Sequence, residues 1–302
     1  MLRLDAVLES YGLKEGKWKI AGSLLETEKG LKRIHVWTDK ALLNWHISWR
    51  DQLAENTGCL TDRMIQTVRG ERMSLCDEGW ITVHDEVSSP FSYKNKEKET
   101  GRFFGKYYSL KVEDKQTDED HAYFPDFNAE ILDRKAHTGK RDKNGEFVEA
   151  VRKEALMRYQ KAKRLNEKAD PAPVPFVCPV LSLNQARLVY EKMYWVNSTE
   201  KPESGYRSLS RMLGEWLKHQ GEKSLFAMLD EMDSYFPLKN KHGVPLLTEC
   251  LLPWEFADFI EAGENQSFGA RRKVLAERWE TSRALVKALS KWLDVTREQV
   301  KV

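Results

Sequence analysis

The chain has 302 residues, long enough for one large domain or two lobes around an ample core. Hydrophobic residues at 41% and aromatic residues at 11% exclude a disordered chain, and 49 basic against 47 acidic side chains leave a net charge of +2. That balance predicts no global attraction to nucleic acid or membrane. No apolar run reaches the length needed to span a bilayer, and the opening Met1 to Asp5 lacks a secretory signal's apolar stretch, so no membrane partner is expected.

In chain order, residues 1–15 predict a short helix closed at Tyr11-Gly12. Lys17 to Ile20, Ser23 to Thr27 and Gly30 to Trp37 read as short strands broken at Ala21-Gly22 and at Glu28 to Gly30. Thr38 or Asp39 then caps a helix whose stripe is Leu42, Trp45, Trp49 and Leu53, ending near Gly58. Met64 to Val68, Arg72 to Cys76 and Trp80 to Val83 read as further strands. The first 85 residues are therefore expected to form a mostly antiparallel sheet with one inserted helix.

From Ser88 the character changes. Thr100 to Val112 has helical spacing, Glu113 to Asp120 is a charged turn, and the polar, glycine-punctuated residues 133–146 predict a loop. A long helix from Glu146 to about Lys168 carries Val148, Val151, Ala155, Tyr159, Ala162 and Leu165 on its inner face. Prolines between Asp170 and Pro175 end it. The remainder after residue 199 is helical: Arg207 to Gln220 stopping at Gly221, Glu222 to Phe236, Pro245 to Leu252, Trp254 to Ala262, and Ala270 to Asp294. The last keeps Leu275, Trp279, Ser282, Leu285, Val286, Leu289 and Leu293 on one face.

Four cysteines, Cys59, Cys76, Cys178 and Cys250, show no paired spacing. They read as buried, reduced thiols in a cytoplasmic setting, with no zinc site or disulfide framework. Lys32 has two readings: a point charge aimed at nucleotide phosphates from a strand, or a solvated lysine on a polar sheet face. No glycine-rich phosphate loop precedes it, and no nucleophile turn of the hydrolase type occurs. His46 and Arg50, four apart, read as helix-packing residues, and His84-Asp85-Glu86 as a structural segment just after a strand. His121, Asp126 and Asn128 imitate a catalytic loop but at the wrong spacing. The segment 134–168, with Lys161, Lys163 and Arg164, has a basic excess that could touch an acidic partner or nucleic acid. Glu149, Glu154 and Glu167 on the same helix favour a solvated face, so nucleic acid is not the expected partner.

The stretch from Pro175 to Asn184, followed by strand-like Ala186 to Tyr190 and Met193 to Val196, is the centre of the chain. Its skeleton resembles the catalytic segment of aminoglycoside- and choline-kinase-like phosphotransferases, whose loop reads His-Gly-Asp-x-x-x-x-Asn or one residue shorter. Phosphoryl transfer needs a carboxylate to orient the acceptor hydroxyl and hard oxygen ligands for Mg²⁺. The resemblance places the family's histidine on Cys178 and its catalytic base on Val180. Its metal-ligand asparagine falls on Asn184, which is retained, and its metal-binding aspartate on Asn197 (or Ser198 with a one-residue slip). A further loop-ordering aspartate falls on Ser208. The acids are absent, and Asn184 and Asn197 offer only neutral carbonyl oxygens.

Element order extends the resemblance over nearly the whole chain. It covers Trp18 to Ile34, Ile65-Gln66-Thr67 with Trp80 to Asp85, Leu181 to Asn184, Ser208 to Leu213, Tyr235 to Leu238 and Leu251 to Phe256. The chain resembles bacterial spore-coat kinase-like proteins of the CotS type, a degenerate branch of that fold. The resemblance implies an α+β, two-lobe protein kinase-like fold. Residues 1–85 would be the small antiparallel β lobe with one helix, and residues 86–302 a mainly helical lobe with a degenerate catalytic loop at 175–199. It implies a pseudokinase serving as a structural or interaction module, with other proteins, spore-coat components among them, as partners. No catalytic residues, metal or cofactor are then expected. The alternative is an ATP- and Mg²⁺-dependent small-molecule phosphotransferase, with Lys32 and Asn184 holding the nucleotide and Asn197 completing an unusual metal arrangement.

Overall fold

The computed structural model describes residues 2–111, 124–133, 143–167, 173–262 and 267–293. The turn expected over 113–120, His121, residues 134–142 and residues 168–172 lie outside the described residues. The chain is mixed α and β and divides into two compact units. The first comprises Met1–Lys96, Lys106–Glu113 and Phe176–Glu203. The second comprises Glu97–Gly105, Asp114–Pro175 and Ser204–Val302.

In the first unit, strands β1 (Gly16–Ile20), β2 (Leu24–Thr27), β3 (Gly30–Trp37), β5 (Ser74–Cys76) and β6 (Gly79–Asp85) form one antiparallel sheet in the order β1-β2-β3-β6-β5. Side chains alternate across each strand, so Ile34 of β3 and Ile81 and Val83 of β6 share one face. There they bury against Val7 and Tyr11 of helix α1 (Leu4–Tyr11), with Leu25 of β2. Gly12 ends α1 in the left-handed conformation, φ 60°, as expected of a glycine at that position. The opposite face carries Arg33, His35 and Trp37 of β3 with Thr82 and His84 of β6.

Helix α2 (Lys40–Thr57) begins at Asp39, whose carboxylate accepts the amides of Ala41 and Leu42, and closes at left-handed Gly58. Its buried face is Leu43, His46, Trp49, Arg50 and Leu53, one residue round from the expected stripe; Leu42 and Trp45 are only half-buried. A histidine and an arginine complete the inward face, which apolar periodicity alone cannot register. The strand expected over Met64 to Val68 is absent. The Thr67 hydroxyl accepts the amides of Arg69 and Glu71 and its own amide bonds the Glu71 carbonyl, closing a turn through Gly70 instead.

A second, three-stranded sheet joins β4 (Leu60–Thr61), parallel to β9 (Lys192–Trp195), with β8 (Ala186–Val189) antiparallel on the far side. The expected hairpin is present, and both of its turn residues, Tyr190 and Glu191, have positive φ, the sense that matches strand twist. β7 (Phe176–Val177) leads into the central loop.

The second unit is helical: α4 (Lys143–Asn166), α5 (Arg207–Asp233), α6 (Gly243–Leu251), α7 (Trp254–Glu261) and α8 (Phe268–Trp292), with the first part of α3 (Glu97–Tyr108). α6 is buried at every position but Val244 and packs against α4, α5 and α8, so it forms the core of this unit. α5 breaks at Gly221 (φ 84°, ψ 172°), where the glycine predicts a stop. Gly101 lets α3 approach α5 closely: a Cβ there would lie 2.4 Å from the Met228 carbonyl oxygen. Arg158 of α4 is the keystone. It donates to the carbonyls of Cys250, Leu251 and Leu252 and to the Glu255 carboxylate, and stacks on Trp279, while Ser282 also donates to Glu255.

Candidate functional site

The central loop is held by its own short-range chemistry. Ser182 caps a 3-10 turn over Leu183–Gln185, and the Gln185 side chain closes the capping box. Gln185 Oε1 accepts the amides of Leu181 and Ser182, its Nε2 donates to the Val196 carbonyl, and Tyr93 donates to the Leu183 carbonyl. The loop is thereby tied to the exit of the β8–β9 hairpin.

The side chains on that frame are mostly turned inward. Val180 is fully buried. Cys178 is buried with Sγ 3.3 Å from Ser198 Oγ, and burial pushes its thiol above the ordinary range, so it stays protonated. The Cys178 carbonyl accepts the Tyr107 hydroxyl. Asn184 is exposed, its amide capped by Ser182. Ser208 lies buried in α5, in the other unit.

Asn197 turns inward, and every polar atom of its side chain is used. Oδ1 accepts Trp49 Nε1 at 2.9 Å; Nδ2 donates to Thr61 Oγ1 and to Asp62 Oδ1, both at 2.7 Å; its backbone amide also donates to Asp62 Oδ1, at 3.0 Å. Thr61 in turn donates to the Trp195 carbonyl. Asp62 is completely buried. Its cationic partner is Arg50 of α2, whose Nε lies 3.4 Å from Oδ1 without the alignment of a hydrogen bond, and Asp62 Oδ2 accepts none among the described residues. The guanidinium also donates through Nη2 to the Ser198 carbonyl and through Nη1 to His46 Nδ1 at 2.9 Å.

These contacts assign the histidine tautomers. Arg50 can only donate, so His46 Nδ1 is the acceptor and His46 Nε2–H donates to the Glu200 carbonyl at 2.9 Å. His84 Nδ1–H donates to the Asp62 carbonyl at 2.8 Å, which leaves Nε2 to accept the Thr82 hydroxyl, itself the acceptor of Trp37 Nε1. Both rings are neutral in this arrangement. Burial first, then the Arg50 cation, pushes His46 down to about 4 and His84 well below the ordinary imidazole value. Burial and the neighbouring His84 push His35 down to about 3.

Lys32 joins none of this. Strand alternation puts it on the opposite sheet face from His35 and Trp37, across from Asp85, where Nζ donates to Asp85 and to the Lys29 carbonyl, both at 2.6 Å. Of the four positions onto which the resemblance places the family's histidine and acids, Cys178 meets Ser198, and Asn197 meets a cluster of Arg50, Asp62, Trp49 and His84 that sequence reasoning does not gather. The four-residue spacing of His46 and Arg50 was the one signal available. Nothing local distinguishes Asp62, whose partner Asn197 is 135 residues away.

At Val180, Asn197 and Asp62 no oxygen is accessible to a magnesium ion. The Asn197 carbonyl oxygen is committed to Trp49, Val180 has no oxygen to offer, and the neighbouring carboxylate, Asp62, is fully buried against Arg50 and Asn197. Among the described residues no group of three or more His, Cys, Asp or Glu side chains is arranged to hold a metal ion, and no helix is long and apolar enough to cross a membrane.

No family model matches the chain, and no curated protein matches it. Solved structures do. An aminoglycoside phosphotransferase from Alicyclobacillus acidocaldarius matches 100% of this chain over 97% of its own, with a TM-score of 0.68 at 10% identity. A spectinomycin phosphotransferase in complex with ADP and spectinomycin matches 98% over 97%, with a TM-score of 0.59 at 12% identity. A microcompartment-associated aminopropanol kinase matches 95% over 97%, with a TM-score of 0.58 at 10% identity. The chain therefore has the α+β, kinase-like fold of small-molecule phosphotransferases such as these, with a small antiparallel sheet and a larger helical portion.

Proposed function

We propose that the chain is a catalytically degenerate kinase-fold protein, a pseudokinase, that acts as a structural or interaction module for other proteins. The observation that carries this reading is Asn197. Where the resemblance places the family's metal-binding aspartate, this chain has a carboxamide whose every polar atom is spent inside the protein on Trp49, Thr61 and Asp62. Burial of Val180, where the resemblance places the family's catalytic base, supports it. A cytoplasmic location with assembly into a spore coat rests on the element-order resemblance alone and is part of the proposal. The test is a thermal-shift titration with ATP and Mg²⁺, since a ligand that binds only the folded state raises the melting temperature with the logarithm of its concentration once that exceeds Kd. The expected result is no shift at millimolar nucleotide, and a Mg²⁺-dependent shift accompanied by ATP turnover would overturn the proposal.

The second reading is an ATP-dependent phosphotransferase acting on a small molecule. It draws on the printed names of the structural neighbours, which are kinases and phosphotransferases, one of them complexed with ADP. Under it Lys32→Ala abolishes turnover; under the proposal there is no turnover to abolish. Binding of nucleic acid by residues 134–168 is disfavoured where the segment is described, because Arg152 pairs with Glu149 and Glu154 lies within ion-pair distance of Arg283.

A further inference from the structure

His46 occupies a place where a proton is costly for a geometric reason. Its Nδ1 faces an Arg50 N–H at 2.9 Å and its Nε2 faces the Glu200 carbonyl at 2.9 Å, so both ring nitrogens are committed only while the ring is neutral. Protonation would set an N–H against the guanidinium N–H. The charged and titratable groups facing the ring are Arg50 on α2 itself, Asp62 after β4 and His84 on β6. Carbonyls of Thr199 and Glu200 approach from the segment after β9, and the uncharged rings of Trp37 and Trp45 flank it. That set holds one cation and one anion, already paired with each other. Among the described residues no second carboxylate is there to take up an imidazolium.

The consequence falls on one joint. His46 and Arg50 are the residues by which α2 grips the segment 198–200: His46 through the Glu200 carbonyl and Arg50 through the Ser198 carbonyl. We propose that this network is a proton-operated latch, in which protonation of His46 turns Arg50 away and releases α2 from residues 198–200. The inference goes beyond the proposed function and does not depend on it, because it concerns a proton and not a nucleotide.

The sign follows from linkage. An unfolded or released His46 titrates near 6.5, and in the closed latch it is held down to about 4. Between those values the released state binds more protons. The latch is therefore fully closed above pH 6.5 and loosens as pH falls, its opening constant rising about tenfold per pH unit.

The test is hydrogen exchange on the full chain from pH 7.5 to 4.5, corrected for intrinsic exchange rates. Peptides covering α2 and residues 195–203 are expected to lose protection by about tenfold per pH unit below pH 6.5. His46→Gln, whose amide can accept from Arg50 and donate to Glu200 without titrating, is expected to flatten that profile. A wild-type profile that is flat, or a His46→Gln profile identical to wild type, overturns the latch. Should His46→Gln fail to fold, the His46 ring resonance of the wild type decides. Titration coincident with loss of α2 protection supports the latch, and titration near pH 6.5 with α2 fully protected overturns it.

Discussion

Each compact unit buries an arginine against a carboxylate, and the two solutions differ. In the helical unit Arg158 spends its guanidinium on three carbonyls and Glu255, lies over the Trp279 ring, and leaves Glu255 a second donor in Ser282. In the sheet unit Arg50 meets Asp62 at 3.4 Å without a hydrogen bond through Nε. Asp62 Oδ2 accepts no hydrogen bond among the described residues, and three histidines stand nearby in neutral form. The first is a fully satisfied joint, of the kind that makes a buried ion pair compatible with a stable core. The second is more polar than packing requires and less satisfied than stability would favour. Local rules of this kind are most often broken at functional or strained sites.

The comparison can be broken most directly at its well-satisfied end. Glu255→Ala leaves Arg158 buried without its counter-charge and is expected to cost about 3–5 kcal/mol in chemical denaturation. Next in size is the attempt to restore an acid in the central segment. Asn197→Asp removes two amide donors and sets a second carboxylate against Asp62 where 2.7 Å now separates donor and acceptor. The expected loss is about 3 kcal/mol at pH 7, shrinking at lower pH as one of the two acids takes up a proton. A smaller cost for Glu255→Ala than for Asn197→Asp would reverse the ranking of the two joints. The smallest effect expected is that of Thr61→Val. The side chain keeps its shape, but Asn197 Nδ2 loses one acceptor and the Trp195 carbonyl one donor, for about 1–2 kcal/mol in the same measurement. No measurable loss there would mean that Asn197 finds another acceptor, and with it the main support for the proposed function would weaken.

Much of the fold was legible locally because its signals are local. Asp39 caps α2, Gly12 and Gly58 end their helices in the left-handed conformation, Gly221 divides α5, and strand alternation marks β3. Each of these reads from a few adjacent residues. The strand expected over Met64 to Val68 failed for an equally local reason that apolar composition conceals, the Thr67 hydroxyl claiming backbone amides for a turn. The face of α2 came out one residue round because its inward stripe contains His46 and Arg50, which hydrophobic periodicity counts as outward.

What the sequence determined unaided is most of the helices and the strands around β3, the caps at Asp39, Gly12 and Gly58, and the plain fact that residues 180 and 197 are not acids. The tertiary structure alone decided that Asn197 points inward, that Asp62 is its partner, that Lys32 lies on the other side of the sheet, and that His46 is held neutral. The reason is physical. Caps and periodicity act between neighbours in the chain, whereas the state of a buried charge depends on groups that folding brings within 3 Å from more than a hundred residues away.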